Sequence, residues 1–346
     1  MSRVREAQEA RGASATSSST SDDNWVGTML VFRELYKMPA SLHPYASYDA
    51  TADELEKLNS GEIKAFIKKW YTPKAATLVL TGPVEATDVR AAIDKAFGSW
   101  KGTESPGVGI GNPSVPEGTR IYVADRPGTT QCQVFLAAFG PQRNDTGKWA
   151  ATAAGWQILG GGRAGKLESD LREKRSLVLS ARTTVPDVAA GPQPLIVRAD
   201  VSTAKLGRAV EGILAHLQRA TDQAPKDDDV TAARRFLTDA LATQWGSPGG
   251  IADGIALTAA SARADDDADS FVKALAKVDS FTVAREMAGS VGGGHVLVVV
   301  GDASKIATTL THFGEVAVVN PVAGFARTQS MTMNEKAPLE PSGEKQ

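Results

Sequence analysis

The chain reads as an α/β protein of the α+β kind, built from two homologous halves, each a mostly antiparallel sheet covered by helices, with the first half incomplete. Three observations carry this. Residues 102–118 hold five glycines and three prolines, the composition of a linker between halves. The order helix, short apolar run, glycine, helix, Phe-Gly occurs twice, at 55–98 and again at 275–314. The stretch that ends in the second copy, 119–322, is long enough for a whole domain, whereas 25–101 is not.

Composition narrows the function classes. With 346 residues, 42% hydrophobic and 23% charged, the chain can bury two cores. A net charge of -2 leaves no excess of Lys or Arg to neutralise phosphates, so nucleic acid is not an expected partner. Cys132 stands alone, which excludes an intramolecular disulfide framework. Only His43, His216, His295 and His312 could serve a metal site as imidazoles. No window approaches the roughly 20 apolar residues of a membrane span, and no secretory h-region precedes Asp23.

Taken in order, residues 1–24 are Ser/Thr-rich and poor in large apolar groups, so they read as a disordered leader. Met29, Leu30, Phe32, Leu35 and Tyr36 recur at helical spacing in a helix closed by Pro39. A loop with His43-Pro44-Tyr45 follows. Asn59 is an N-cap with Glu62 three residues on, and Ile63, Phe66, Ile67 and Trp70 form the stripe that this helix is expected to bury. Residues 76–80 read as a strand, Gly82-Pro83 as a turn, and Val89, Ile93, Ala96 and Phe97 mark another helix. Beyond the linker, 120–124 and 131–138 alternate like paired strands joined at Arg126-Pro127-Gly128. A helix at 148–159 leads into Gly160-Gly161-Gly162, where the chain must turn sharply. A charged helix, strands at 177–184 and 195–201, and helices at 206–221, 228–244 and 251–262 follow. The second copy closes the fold, and 323–346 reads as a disordered tail.

The loop 42–46, the passage from Trp70-Tyr71-Thr72-Pro73 to Phe97-Gly98-Ser99-Trp100, and the corner Leu159-Gly-Gly-Gly with Leu171-Arg172-Glu173 together resemble the insulinase-like (M16) metallopeptidase family. The resemblance covers roughly 25–319 and implies two halves of the M16/LuxS-metallohydrolase type that close like a clam around an extended peptide, with zinc held by the first. The family's zinc helix reads H-x-x-E-H, and no such motif occurs in this chain. Its place falls upstream of Met1. Active bacterial members also present an arginine and a tyrosine seven apart; Arg172 matches the arginine, but Leu179 stands where the tyrosine belongs and cannot donate a hydrogen bond. His312-Phe-Gly-Glu315 carries only the first part of a zinc motif, so a structural role is expected there.

Other motifs compete for the same residues. Residues 160–166 spell G-x-x-x-x-G-K, the opening of a phosphate loop, but Leu167 replaces the required Ser or Thr and a helix precedes the loop where a strand belongs. His43-Pro44-Tyr45 has no nucleophile or carboxylate pair beside it and reads as a stiff loop. Cys132 lies in an apolar run and reads as an inert buried thiol. Asp265, Asp266, Asp267 and Asp269 read as a solvated loop.

The expectation is therefore an M16-like chain with no catalytic residues and no metal ligands of its own, zinc being the family's cofactor. It would be a non-catalytic partner that helps a zinc-bearing subunit, or another copy of itself, enclose a peptide or protein substrate. Gly160, Gly161, Gly162 and Arg172 are the expected substrate-binding residues. Two alternatives stand beside it. One is a structural or assembly subunit on the same fold. The other is a fragment of an active zinc endopeptidase whose catalytic helix, together with a signal for the periplasm, lies upstream.

Overall fold

The computed structural model describes residues 22–38, 43–46, 52–102 and 110–333. Most of the expected leader and parts of the linker and tail lie outside these residues. Helix α1, Asp23–Leu35, opens the described chain. Asp22 caps it by accepting the Asn24 amide, and Asp23 and Arg33 place opposite charges at the ends that the helix dipole favours. The leader expected to extend through residue 24 thus gives way to this cap and helix at Asp22. Helices α2 (Ala52–Lys57), α3 (Ser60–Trp70) and α4 (Ala86–Phe97) follow before the linker.

Beyond the linker come β1 (Thr119–Asp125), β2 (Gln131–Gln142), α5 (Thr146–Gly160), a π-helical segment (Glu168–Lys174), β3 (Ser180–Thr184) and β4 (Pro192–Ser202). Then come α6 (Leu206–Asp222), α7 (Asp227–Gln244), α8 (Pro248–Ala260), α9 (Asp267–Leu275), α10 (Ser280–Val291), β5 (His295–Gly301), α11 (Ala303–Leu310), β6 (Val316–Asn320) and β7 (Ala326–Met331).

Among the described residues the seven strands form one sheet in the order β3-β4-β2-β5-β1-β6-β7. Most neighbours are antiparallel, while β1 runs parallel to both β5 and β6. The hairpin expected between β1 and β2 does not form, because β5 lies between them, pairing Leu297 with Ile121 on one side and with Leu136 on the other. The run Val296 to Val300 is apolar at every position and buried on both faces, which is the pattern of a central strand. The Arg126-Pro127-Gly128 turn is instead tied to β5 and its sequel, with the Arg126 amide donating to the Gly301 carbonyl (2.8 Å) and the Gly128 amide to the Asp302 carboxylate (3.0 Å).

One face of the sheet carries Ile121, Val123, Val134, Leu136, Leu297 and Val299 under helices α5, α6, α10 and α11. The opposite face carries Phe135, Ala137, Val296, Val298 and Val300 under α1. Gly27 permits that approach: a Cβ there would lie 2.0 Å from the Phe135 ring. Asp23 pairs with Arg126 (2.9 Å), and the Tyr36 hydroxyl donates to the Pro192 carbonyl (2.8 Å). The helix expected to open the first half is thus packed onto the sheet of the second.

Residues 52–102 take a different form. The capping box of α3 is present, with Asn59 accepting the Gly61 and Glu62 amides and Glu62 accepting the Asn59 amide. Its apolar stripe is not buried: Ile63, Phe66 and Ile67 are exposed. Residues 76–80 run extended without a ladder partner among the described residues, so the expected strand is absent from the sheet. A strand needs a neighbour to satisfy its amides, and none lies beside it among the described residues.

The other end of the chain is longer than expected. Strand β7 pairs with β6 inside the segment read as a tail, extending the second half to Met331. Its residues are exposed and mostly polar, so no apolar alternation marks it. Its ladder to β6 holds it, and the turn before it is anchored where buried Phe325 lies tilted against Trp25 (6.5 Å) and Arg33 donates to the Gly324 carbonyl (2.8 Å).

Candidate functional site

The glycine corner and the segment after it converge on β3, the edge strand. Helix α5 ends at buried Gly160, Gly161 caps it by donating to the Gln157 carbonyl (2.8 Å), and Gly162 has φ of 77°, a left-handed conformation that suits glycine. A Cβ on Gly160 would lie 2.6 Å from Thr183 Cγ2 and 2.7 Å from the Thr183 amide nitrogen. The close approach that Gly160 allows is therefore to the chain's own edge strand, which corrects its reading as a residue open to a substrate backbone. Gly161 is half-buried and Gly162 exposed.

The π-helical turn carries the charge. Its Glu168 is buried, with one carboxylate oxygen accepting the Ala181 amide (2.7 Å) and the other accepting Arg172. A buried carboxylate costs free energy unless paired, and both oxygens accept a hydrogen bond here. Arg172 remains half-exposed beyond this contact, while Leu179, seven residues later, is exposed and donates its amide to the Asp200 carbonyl (2.7 Å). The structure therefore brings Gly160 and Arg172 to one strand edge, through Thr183 and through Glu168 and Ala181.

On the side of the π-turn away from β3, Asp170 accepts from His216 Nε2 (2.9 Å), and Arg175 lies 3.6 Å away. Burial lowers the His216 pKa, which the bond to Asp170 only partly opposes. A cavity of 290 Å³ opens beside it, lined by Ile158, Leu159, Val283 and Met287 with Lys166 at its rim. Lys166 pairs with Asp229 (2.8 Å), Leu167 is fully buried, and α5 leads into the loop, so nothing here matches a phosphate cradle.

The composition of β4 hid a second polar group. Arg198 and Asp200 sit two apart in the otherwise apolar run 194–201 of that strand, a signal that sequence reading passed over. By strand alternation with Ile196 they lie on the α1 side of the sheet. Arg198 covers the Phe135 ring (5.0 Å), and Asp200 accepts the Ser180 hydroxyl (2.6 Å). Burial lowers the Arg198 pKa, with Arg182 nearby.

Zinc does not fit the residues described. Among them no group of three His, Cys, Asp or Glu is placed to hold a metal. Each histidine is tied locally: His43 to Gly111 (3.0 Å), His216 to Asp170, His295 to Val291 (2.9 Å) and His312 to Thr309 (3.1 Å). The Tyr45 amide donates to His43 Nδ1 (3.1 Å), so Nε2 carries the proton given to the Gly111 carbonyl. With Tyr36 4.9 Å from its ring, His43 belongs to a buried aromatic cluster, in keeping with a stiff structural loop. Cys132 is buried and its thiol pKa is pushed up to about 11, which keeps it unreactive. In the acidic run, Asp266 accepts the Ser270 hydroxyl (2.9 Å) and Asp267 pairs with Arg263 (2.9 Å). No helix among the described residues is long and apolar enough to cross a membrane.

The family described as "Peptidase M16 inactive domain" matches residues 57–237, more than half of the chain. The chain belongs to the M16 peptidase family. That match runs through the linker, joining the closing part of the first copy to the opening part of the second. Among curated relatives, Protein YhjJ of Salmonella typhimurium is 43% identical over 47 residues, 14% of this chain and 10% of that one. The uncharacterized zinc protease SCO5738 of Streptomyces coelicolor is 30% identical over 136 residues, 38% of this chain and 29% of that one. This M16 chain therefore spans under a third of these relatives' length.

Solved structures agree on the fold. The peptidase M16 inactive domain from Pseudomonas fluorescens superposes with a TM-score of 0.77 at 18% identity, covering 87% of this chain and 71% of that one. A protease from Helicobacter pylori gives 0.76 at 16% identity, covering 87% and 72%. A chain of complex III2 from Candida albicans gives 0.70 at 13% identity, covering 86% and 71%.

Proposed function

We propose that this M16 chain is a non-catalytic wall of a peptide-binding chamber whose zinc-bearing wall is supplied by another polypeptide segment. One observation carries the reading: the β3 edge has Arg172 beside it, half-exposed and oriented by Glu168, while the exposed Leu179 side chain offers no hydrogen-bond donor. Such an edge can hold a carbonyl or carboxylate of an extended peptide but cannot polarise a scissile bond. Gly162 leaves open space at the corner, with nothing within 4 Å of a Cβ there, whereas Gly161 is covered by the Gln157 side chain. Family membership and the absence of an H-x-x-E-H motif from the sequence support the division of labour.

Peptide binding to the purified full chain tests this. Fluorescence anisotropy with a pool of extended peptides should show saturable binding, and Arg172→Ala should weaken it by about tenfold, the loss of one charge-assisted hydrogen bond. Stoichiometric zinc together with peptide cleavage by this chain alone would overturn the proposal. A second reading, an assembly subunit that binds no peptide, is favoured by the neutralisation of Arg172 by Glu168; it predicts no saturable binding at all.

A further inference from the structure

Small side chains leave a gap in the helical layer that covers the sheet. Helices α5 and α10 touch at Gly155, where a Cβ would lie 2.6 Å from Met287 and 3.1 Å from Val283. Ala220, near the end of α6, and Ala224, in the turn to α7, border the same space and bring no bulk to it. The result is the 290 Å³ cavity beside His216. Packed protein interiors hold few voids wider than a water molecule, so a space of this size between helices has room for a ligand.

The wall and the rim of the cavity differ in character. Ile158, Leu159, Val283 and Met287 form the wall, continuous with the core between helices and sheet. The charged residues that border it are Lys166, Arg219, Lys226 and Asp229. Asp229 holds Lys166 (2.8 Å), which cancels one cation against the one acid. Arg219 Nε donates to the Ala215 carbonyl (3.2 Å), but neither Arg219 nor Lys226 joins an ion pair among the described residues, and both are exposed. The other acids of this region are engaged elsewhere: Asp170 with His216 and Arg175, and Asp222 with Gln218. Asp227 and Asp228 stand in the first turn of α7, whose dipole they complement. None of these four lines the cavity.

An apolar wall beneath a rim with two unpaired cations complements an amphipathic anion. Arg219 also lies in the field of Asp170, so the rim suits one negative charge rather than two. Volume sets the size of the apolar part. A cavity of ~150 Å³ admits a six-carbon ring, so 290 Å³ has room for roughly ten to twelve carbons.

We propose that this cavity binds a monocarboxylic acid with a hydrocarbon body of roughly ten carbons, the body against Ile158, Leu159, Val283 and Met287 and the carboxylate at Arg219 and Lys226. Each methylene that leaves water for the wall raises affinity about fourfold, and the rim adds a charge-assisted bond. The site lies on the side of the π-turn away from β3 and requires neither peptide nor zinc, so it stands or falls apart from the chamber reading.

Calorimetric titration of the full chain with hexanoate, octanoate, decanoate and tetradecanoate tests the proposal. The expected result is one saturable site whose affinity rises about fourfold per methylene up to decanoate and levels off by tetradecanoate. Decyltrimethylammonium, with the same chain and the opposite charge, should not compete. Lys226→Glu should weaken decanoate binding by about tenfold, and Ala224→Phe should abolish it by filling the space. Both positions are exposed, so both variants should melt as the parent does. Ile67→Asp, on the exposed stripe of α3, should bind decanoate as the parent does. Affinity independent of chain length, equal binding of decyltrimethylammonium, decanoate binding unchanged in Lys226→Glu and Ala224→Phe, or no binding by the folded parent chain would each overturn the proposal. Loss of binding in Ile67→Asp would also overturn it, by moving the acid to the open stripe of α3.

Discussion

Replacing Gly160 by alanine separates a packing role for the glycine corner from a substrate-facing one. The added methyl would stand 2.6 Å from Thr183 Cγ2 and 2.7 Å from the Thr183 amide nitrogen, about 0.7 Å inside ordinary contact at 3.4 Å. The side chain can rotate, but the nitrogen is backbone of β3 and moves only with the strand. Such overpacking costs about 1–3 kcal/mol. For a half of this size that lowers the melting temperature by about 2–4 °C per kcal/mol. The strand also holds the Ala181 amide to Glu168, so displacement should speed hydrogen exchange at Ala181 while leaving Val298, in the central strand, slow. Gly162→Ala is the comparison: its Cβ meets nothing within 4 Å, and only its φ of 77° resists, at roughly 1–2 kcal/mol. Calorimetry with exchange mass spectrometry reads both effects. A Gly160→Ala chain with unchanged melting and exchange but weakened peptide binding would refute the reasoning and return Gly160 to the substrate.

Other outcomes follow from the same geometry. Gly27→Val should strip α1 from the sheet, since even a Cβ would lie 2.0 Å from the Phe135 ring; limited proteolysis should then cut between Asp23 and Tyr36, sites protected in the parent chain. His43, His216 and His295 all have pKa values lowered, each chiefly by burial. The unfolded chain therefore binds more protons just below about pH 6.5, and stability, full above that value, should fall as the pH drops through it toward the folded-state values; urea titrations from pH 7.5 to 5 would show the slope, and a flat profile would contradict the burial. The double variant Ile67→Asp with Leu78→Asp should reduce self-association of the isolated chain and its binding of a hydrophobic dye, read by sedimentation and fluorescence, without lowering the melting of the 119–331 half, because neither residue is buried there.

How much of this was legible depends on the range of the interaction. The α3 capping box could be read because Asn59 and Glu62 are three residues apart and their bond closes within one turn. The repeat could be read because spacing survives in the chain itself, and it located the Leu55 and Leu275 copies before any contact was known. The corner could be read as a turn from three glycines, yet nothing local says that Gly160 faces Thr183, a contact made across 23 residues of chain.

Arg198 and Asp200 were visible as charges in an apolar strand, but their partners Phe135 and Ser180 come from two other strands. The pairing of strands was misread where topology overrode adjacency: β1 and β2 are joined by a short turn, and β5 arrives between them from the far end of the chain because its two apolar faces need cover on both sides. Strand β7 has no apolar alternation and exists because β6 offers a free edge.

By itself the sequence determined the fold class, the duplication, the family resemblance and the lack of a zinc motif, all properties of local pattern and spacing. Tertiary structure alone decided that α1 packs on the sheet of the second half, that Glu168 binds Arg172 to the β3 edge, and that the stripe of α3 lies open. An apolar pattern states only that a face is suited to burial; whether it is buried depends on surfaces brought to it from elsewhere, and the second copy has them where the first, among the described residues, does not.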